Sequence, residues 1–359
     1  MRDIADQLLE WLDAGEPFAV ASVIGVRGSA PRGPGAALAV RADGTALGSV
    51  SGGCIESALH ESALAVLRTG EPMRSCFDHD PDDPFAVGLT CGGVIEVHLQ
   101  RIDPGFDSAL RNALRAARDG RAVAVARVLD TGATLAVYPT HLDGGTGDAQ
   151  LDQRLARTAR AMLTRGRTGL RDVRLPGGDD RQVFIECWSA PPHMLVFGAI
   201  DYASALARVG KLLGYHVTVC DARAVFATPA RFPDADRVVV QWPHRYLAEH
   251  DIDEHTVICV LTHDAKFDVP VLEYALRSKA GYIGALGSRR THLDRMHRLR
   301  AAGVTEHELS RLHSPIGLDL GAGTPEETAV AIAAEIIAAR TSATTLPLAV
   351  SDGPIRAMA

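Results

Sequence analysis

Two cysteines stand beside glycine pairs in mirrored order, in "SVSGGCIESAL" (49–59) and "LTCGGVIEV" (89–97). The thiolate is the reactive form of cysteine, as nucleophile and as metal ligand, so the setting of each thiol matters more than its presence. Glycine is used where the chain needs unusual dihedrals or comes very close to something. Cys54 and Cys91 are therefore candidates for a surface that meets a bound molecule, with Gly52, Gly53, Gly92 and Gly93 allowing the approach. A second chemistry open to them is carriage of a persulfide. The plainer reading is that each is a small buried apolar side chain. Cys76, Cys187, Cys220 and Cys259 lack the glycine setting.

A second group lies in the C-terminal half. A dinucleotide fingerprint would show Gly-x-Gly-x-x-Gly after the first strand, with an acid about 20 residues on for the ribose. Here "GAIDYA" supplies Gly198, but Ile200 replaces the middle glycine and Asp201 puts a carboxylate where a pyrophosphate would sit. Asp221 occupies the ribose position. NAD(P) is expected to bind weakly or not at all, which counts against a nicotinamide-dependent oxidoreductase. Other polar residues, His244, His263, Asp264, Ser288, Arg289 and Arg290, fall in loops after successive apolar runs. His263 and Asp264 are the catalytic candidates there, and Arg289 with Arg290 beside a Gly-Ser turn suits a phosphate.

The elements that position these groups follow from periodicity. After the Pro-Pro break in "SAPPH" (189–193), the runs "MLVFGA", "HVTVCDAR", "RVVVQW", "TVICVLTH" and "GYIGALGS" alternate with helical stretches. Strands alternating with helices predict a parallel sheet covered on both faces. The polar loops then share its C-terminal edge, where ligands of open α/β sheets bind. "GTPEET" (323–328) reads as a helix start, with Thr324 as N-cap, Pro325 first and Glu327 closing a capping box. The N-terminal half predicts a helix over 3–14, a strand over 17–24, a helix after Cys54 and a strand over 94–99. Residues 108–130 repeat this helix-then-strand arrangement weakly, and 141–150 read as a solvated loop. The expected fold class is α/β: a composite α+β domain over 1–190, then a doubly wound, Rossmann-like parallel-sheet domain over 193–345 and a tail, 346–359. A division of the first domain near residue 104 is the alternative.

Composition narrows the function classes. The chain of 359 residues is 47% hydrophobic and 23% charged, with a net charge of −7. That balance gives no electrostatic footprint for nucleic acid or an anionic membrane. No apolar stretch is long enough to span a bilayer and no export signal is visible, so a cytoplasmic location is expected. Without a CxxC pair the cysteines do not suggest a structural zinc site.

The strings "GSAPRGPGA", "GSVSGGCIESAL", "GLTCGG", "THD", "GYIGALGSRRT" and "PIGLDLGAGTPEETAVAIAAEI" together resemble the XdhC/CoxI family, in the right order over 15–100 and 193–340. These are accessory factors of xanthine dehydrogenase and of molybdenum-containing carbon monoxide dehydrogenase. The resemblance implies a chaperone that binds molybdenum cofactor, as molybdopterin or its dinucleotide. It would shelter the cofactor while an oxo ligand is exchanged for sulfur, then help insert it into the hydroxylase. Implied partners are that hydroxylase, a cysteine desulfurase, a cofactor-synthesis enzyme and a second copy of the chain. In this reading Cys54 or Cys91 offers a soft donor to molybdenum, and a helix dipole favours the Cys54 thiolate. Ser29, Arg32, Gly52, Gly53, Glu56, Gly92, Gly93, Gly198, Asp221, His263, Asp264, Ser288 and Arg289 are the further cofactor contacts it implies. The family normally shows a fuller Gly-x-Gly-His turn where this chain has Gly198-Ala-Ile-Asp.

Overall fold

The computed structural model describes residues 1–78, 92–174 and 180–351, arranged as two compact units, Met1–Ala190 and Pro191–Gly353. The first unit opens with α1 (Ala5–Asp13), β1 (Phe18–Arg27), β2 (Ala37–Arg41), β3 (Ala46–Gly48), α2 (Glu56–Thr69), β4 (Met73–Phe77) and β5 (Val94–Ile102). The same succession follows again: α3 (Ser108–Arg118), β6 (Val123–Val128), β7 (Thr134–Val137), β8 (Leu142–Gly144), α4 (Ala149–Thr164), β9 (Gly169–Arg174) and β10 (Asp180–Trp188). Each set makes a five-stranded antiparallel sheet, ordered β3-β2-β1-β5-β4 and β8-β7-β6-β10-β9. The first unit is thus an internal repeat, far more complete than the faint echo in sequence. "FAVASVI" (18–24) and "VAVARVL" (123–129) are the matching central strands.

Both central strands read as near-continuous apolar runs because both of their faces are covered. Phe18 and Val20 share one core with Val123, Val125 and helices α1 and α3. Ala19, Ala21 and Val23 pack under α2, and Ala124, Ala126 and Val128 under α4. The expected loop over 141–150 is corrected: it holds the edge strand β8 and the start of α4, capped by Asp148. An edge strand of three residues is specified by its partner β7 rather than by its own pattern.

The second unit holds β11 (His193–Phe197), α5 (Asp201–Leu212), β12 (His216–Asp221), β13 (Arg237–Val240), α6 (Pro243–Ala248), β14 (Val257–Val260) and α7 (Ala265–Arg277). It continues with β15 (Tyr282–Ala285), α8 (Arg289–Ala301), α9 (Glu306–Leu309), β16 (Leu312–His313) and α10 (Pro325–Thr341). Its six strands are parallel in the order β13-β12-β11-β14-β15-β16, which reverses direction beside β11. Helices α5 and α10 cover one face, α6, α7 and α8 the other. This is the doubly wound sheet expected from the alternation. The capping box of α10 forms as read, with Glu327 N donating to Thr324 Oγ1 at 3.2 Å. No helix among the described residues is long and apolar enough to cross a membrane.

One buried charge pair ties the two sheets of the first unit together. Arg127 of β6 donates to Ser22 of β1 at 2.8 Å and to Glu186 of β10 at 3.2 Å, both charged side chains being at most 2% exposed. Trp188 Nε1 and the Met1 nitrogen also donate to Glu186, at 3.1 and 2.9 Å. Removing Arg127 leaves Glu186 with the buried Met1 ammonium and Trp188 as partners, so the cost should stay below the roughly 3–5 kcal/mol of a stranded charge. Arg127→Ala should lose about 1–3 kcal/mol in guanidinium unfolding, and adding Glu186→Leu should not recover it, because the buried Met1 ammonium then loses its carboxylate. A single-variant loss below about 1 kcal/mol would show that water reaches the site.

Candidate functional site

In the first unit the antiparallel ladder decides which loops meet. The end of β1 and of β3, and the start of β2 and of β5, all lie at one end of the first sheet. Loops 28–36 and 49–55 and the pair Gly92-Gly93 therefore emerge together. Two of them touch backbone to backbone. A Cβ on Gly93 would lie 2.0 Å from the Ser29 carbonyl oxygen, and one on Gly28 would lie 3.5 Å from Gly93 Cα. Gly93 is thus glycine because another stretch of backbone fills the space. Gly52 and Gly53 differ: a Cβ on either meets nothing within 4 Å, and they need glycine for φ values of +80° and +125°.

The loop around them folds about one carboxylate. Glu56, the first residue of α2, accepts from the backbone N–H groups of Val50 (3.1 Å), Ser51 (2.8 Å), Gly52 (3.1 Å), Gly53 (2.8 Å) and Ile55 (3.3 Å). It also accepts from the hydroxyls of Ser49, at 2.6 Å, and Ser51. Burial pushes its pKa up, but these donors outweigh burial and hold it at about 2. The N–H groups that could cradle an external anion are occupied from within. Val50 and Ile55 are fully buried anchors, and Cys54 between them stays exposed, one residue before the N-cap of α2. Ser29 is exposed, and Arg32 forms an ion pair with Asp3. Cys91, and with it the convergence of the two thiols, lies outside the described residues. Cys187 and Cys220 are pushed up to about 12, by burial first and then by a neighbouring acid, and buried Cys259 is raised as well. Those three are packing groups rather than nucleophiles.

In the second unit the parallel sheet brings the other candidates to its C-terminal edge. Gly198, at φ +116°, presses against the next strand, where a Cβ would sit 3.0 Å from Thr262 N. Asp221, 2% exposed, turns back onto this turn and accepts from Ala199 N at 2.8 Å. It also accepts from Arg223 N, Nε and Nη2 at 2.7–2.9 Å. Burial raises its pKa, yet the Arg223 bonds and the two N–H groups hold it below the ordinary value. Ile200 is the extended N-cap of α5 and packs into the core, and Asp201 carries its exposed carboxylate at the first turn. Asp264 caps α7 through Lys266 N (3.1 Å) and pairs with Lys266 Nζ (2.9 Å), while Ser288 caps α8 through Thr291 N (3.1 Å). His263 and Arg289 are exposed at this edge.

Beneath it runs a network that sequence reasoning missed. Asp268 accepts from Thr262 Oγ1 and from Arg295 Nη2 (3.0 Å), and Arg295 also donates to the Leu286 carbonyl (2.7 Å) and Ser314 Oγ (3.0 Å). Arg295 is 3% exposed although it sits in a helix whose sequence is mostly polar. Nothing in that pattern marks it as internal. Among the described residues no group of three or more His, Cys, Asp or Glu could hold a metal ion. A cavity of about 1,020 Å³ between α6 and α7 takes in His244 but is not lined by the strand-end residues 198–201 or 262–264.

Comparison with known proteins supplies what geometry alone does not. A family model described as the XdhC Rossmann domain matches residues 194–336, and one described as the XdhC and CoxI family matches 11–78. The chain is 29% identical over 332 residues to a probable xanthine dehydrogenase subunit of Bacillus subtilis, covering 92% of this chain and 95% of that protein. It is 27% identical over 339 residues to the "Molybdenum cofactor insertion chaperone PaoD" of Escherichia coli, covering 94% and 88%. A crystal structure titled as a xanthine dehydrogenase from Bacillus halodurans superposes with a TM-score of 0.72 at 26% identity, covering 95% of this chain and 97% of that one. The chain belongs to the XdhC and CoxI family.

Proposed function

We propose that the protein binds molybdenum cofactor as cargo and helps insert it into a molybdenum hydroxylase of the xanthine or carbon monoxide dehydrogenase type. The observation that carries this reading is Cys54, an exposed thiol on a loop whose every neighbour is fixed by the Glu56 carboxylate or by burial. When bound, the cofactor brings a metal already held by its own dithiolene, so the protein needs one soft donor rather than a cage. Cys54 fits that role, and the open faces of Gly52 and Gly53 leave room for a planar pterin to lie close. Arg32, on the adjoining loop, is placed for its phosphate once Asp3 releases it. The family match and the name of the Escherichia coli relative support the same reading. Shelter during oxo-for-sulfur exchange, delivery from a cysteine desulfurase and a cofactor-synthesis enzyme, and work in the cytoplasm as a homo-oligomer complete the proposal. Within it, Gly92 and Gly93 belong to the Cys54 surface and Cys91 is proposed as a further thiol contact; Gly198, His263, Asp264, Ser288 and Arg289 are the contacts proposed on the second unit, while Asp221, committed to Ala199 and Arg223, drops out.

Three outcomes test it. Cys54→Ser should reduce cofactor retained after purification from a molybdenum-replete host by at least about tenfold, while the thermal midpoint barely moves; Cys220→Ser, in a core strand, should do the reverse. Normal retention by Cys54→Ser would remove the thiol from the mechanism. The Glu56 latch has a pH signature. Its folded pKa lies below the unfolded value near 4.5, so its stabilising contribution is complete above that value and is lost as pH falls toward about 2. Glu56→Gln should therefore flatten the dependence of stability on pH across that window and speed alkylation of Cys54 at pH 7; unchanged alkylation would mean the loop is held otherwise. Finally, with Asp221 engaged by Arg223 and Ile200 in the turn, calorimetry should detect no NAD(P) binding tighter than roughly 100 µM. Micromolar affinity would revive the oxidoreductase reading.

A further inference from the structure

The parallel sheet of the second unit ends on one side at β13 and on the other at β16, which is only two residues long. Residues Arg237–Val240 of β13 pair with β12 alone, and none of them makes a further backbone–backbone hydrogen bond among the described residues. An edge strand presents unpaired N–H and C=O groups to any strand that approaches, and proteins ordinarily blunt it with lysine, proline or a bulge. β13 reads "RVVV", one arginine and then three valines, and its pairing with β12 shows no register shift. Three β-branched residues in a row suit a strand with neighbours on both sides. Val239 packs with Tyr246 and Leu247 of α6, and Val238 packs on the opposite face with the core under α5. Val240 shares the Val238 face by strand alternation but is 53% exposed. The reason is topological: the connector from β12 to β13, residues 222–236, holds no helix that could cover this corner. It leaves Val225 and Phe226 exposed as well.

The charges along this edge say what would fit it. Arg237, at the start of β13, is exposed and forms no ion pair among the described residues. At the other end Gln241 Nε2 donates to Glu249 at 3.0 Å, and the exposed Glu249 carboxylate has no cation partner among the described residues. The edge thus carries a free positive charge at one end and a free negative charge at the other. A second copy lying antiparallel, about a two-fold axis at Val239, meets both. Val238 of one copy then faces Val240 of the other, and Arg237 faces Gln241. Residues directly opposite share a face and interact, so each exposed Val240 gains an apolar neighbour. On the α6 face each Arg237 comes beside the Gln241 and Glu249 of the other copy, and the ion pair forms twice. A parallel arrangement would set Arg237 against Arg237.

We propose that two copies of this chain associate through β13, joining their parallel sheets edge to edge in antiparallel register centred on Val239. The proposal gives the homo-oligomer of the functional reading its interface and rests on that reading. In sedimentation equilibrium the full chain should be a dimer with a Kd at or below about 10 µM. Val240→Lys sets a charge against the opposing Val238, and Arg237→Glu sets a like charge against Glu249. Each should weaken the dimer at least about tenfold. Residues 237, 240 and 249 are all exposed, so the thermal midpoint of the monomer should barely move. Combining Arg237→Glu with Glu249→Arg reverses both charges and should return the Kd to within about threefold of the parent. A dimer that no variant weakens would overturn this interface while leaving the homo-oligomer reading in place. Weakening by the single variants without recovery in the double would also overturn it, because Arg237 would then not face Glu249. A monomer at about 100 µM would overturn both readings and leave the edge to a strand of another protein.

Discussion

The fold of both units depends on carboxylates turned inward to organise loops. Glu56 gathers the backbone of residues 50–55 around itself and sets the Cys54 loop. Asp221 does the same for the Gly198-Ala199 turn, and Asp268 joins Thr262 to Arg295 beneath the next strand end. Glu335 of α10 accepts from Tyr282 (2.5 Å), His313 (3.2 Å) and Gly317 N (2.7 Å), fixing the last strand of the sheet against the last helix. A carboxylate is suited to this work because it accepts several hydrogen bonds at once, and bonds to a charged acceptor are about twice as strong as neutral ones. The consequence is that strand-end loops, ordinarily the loosest parts of an α/β protein, are internally braced.

That bracing bears on how cargo would be held. A loop whose amides are already satisfied cannot act as a phosphate cradle without giving up its own carboxylate. What it offers instead is a rigid, exposed side chain at Cys54 and the accessible backbone of two glycines. A carrier that must release what it binds gains from few and adaptable contacts rather than a closed cage. The same logic separates the second unit from a nucleotide enzyme. Its strand order is that of dinucleotide-binding sheets, but Asp221, the residue that would hold a ribose, is committed to Arg223 and Ala199.

The internal repeat adds a different comparison. Two copies of one topology put Gly48 and Gly144 in matching tight contacts, against the carbonyls of Ala37 and Thr134. They also place Glu56 and Asp152 in matching latches, Asp152 accepting from Thr146 N at 2.8 Å. The second copy keeps the frame without the glycine–cysteine loop. Its central Arg127 stands where the first copy has Ser22, and the two side chains meet across the core.

Much of this was legible in the residues themselves. Period and punctuation gave the five main strands of the second unit and their helices, because a strand buried on both faces must be apolar throughout and the chain must break at its ends. The motifs around Cys54, Gly93 and Ser288 marked the loops that the sheets bring to their ends. Strands β7, β8 and β9 were not legible, since short or half-exposed strands take their identity from the neighbours they pair with. Nor could the sequence say which acids turn inward. Glu56, Asp221 and Asp268 look like any of the chain's 44 carboxylates until donors far along the chain or in the surrounding turn are brought to them. Gly52 and Gly93 look alike in a string of letters. Tertiary structure separates them: an open face and a positive φ explain the first, a carbonyl 2.0 Å from where a Cβ would be explains the second.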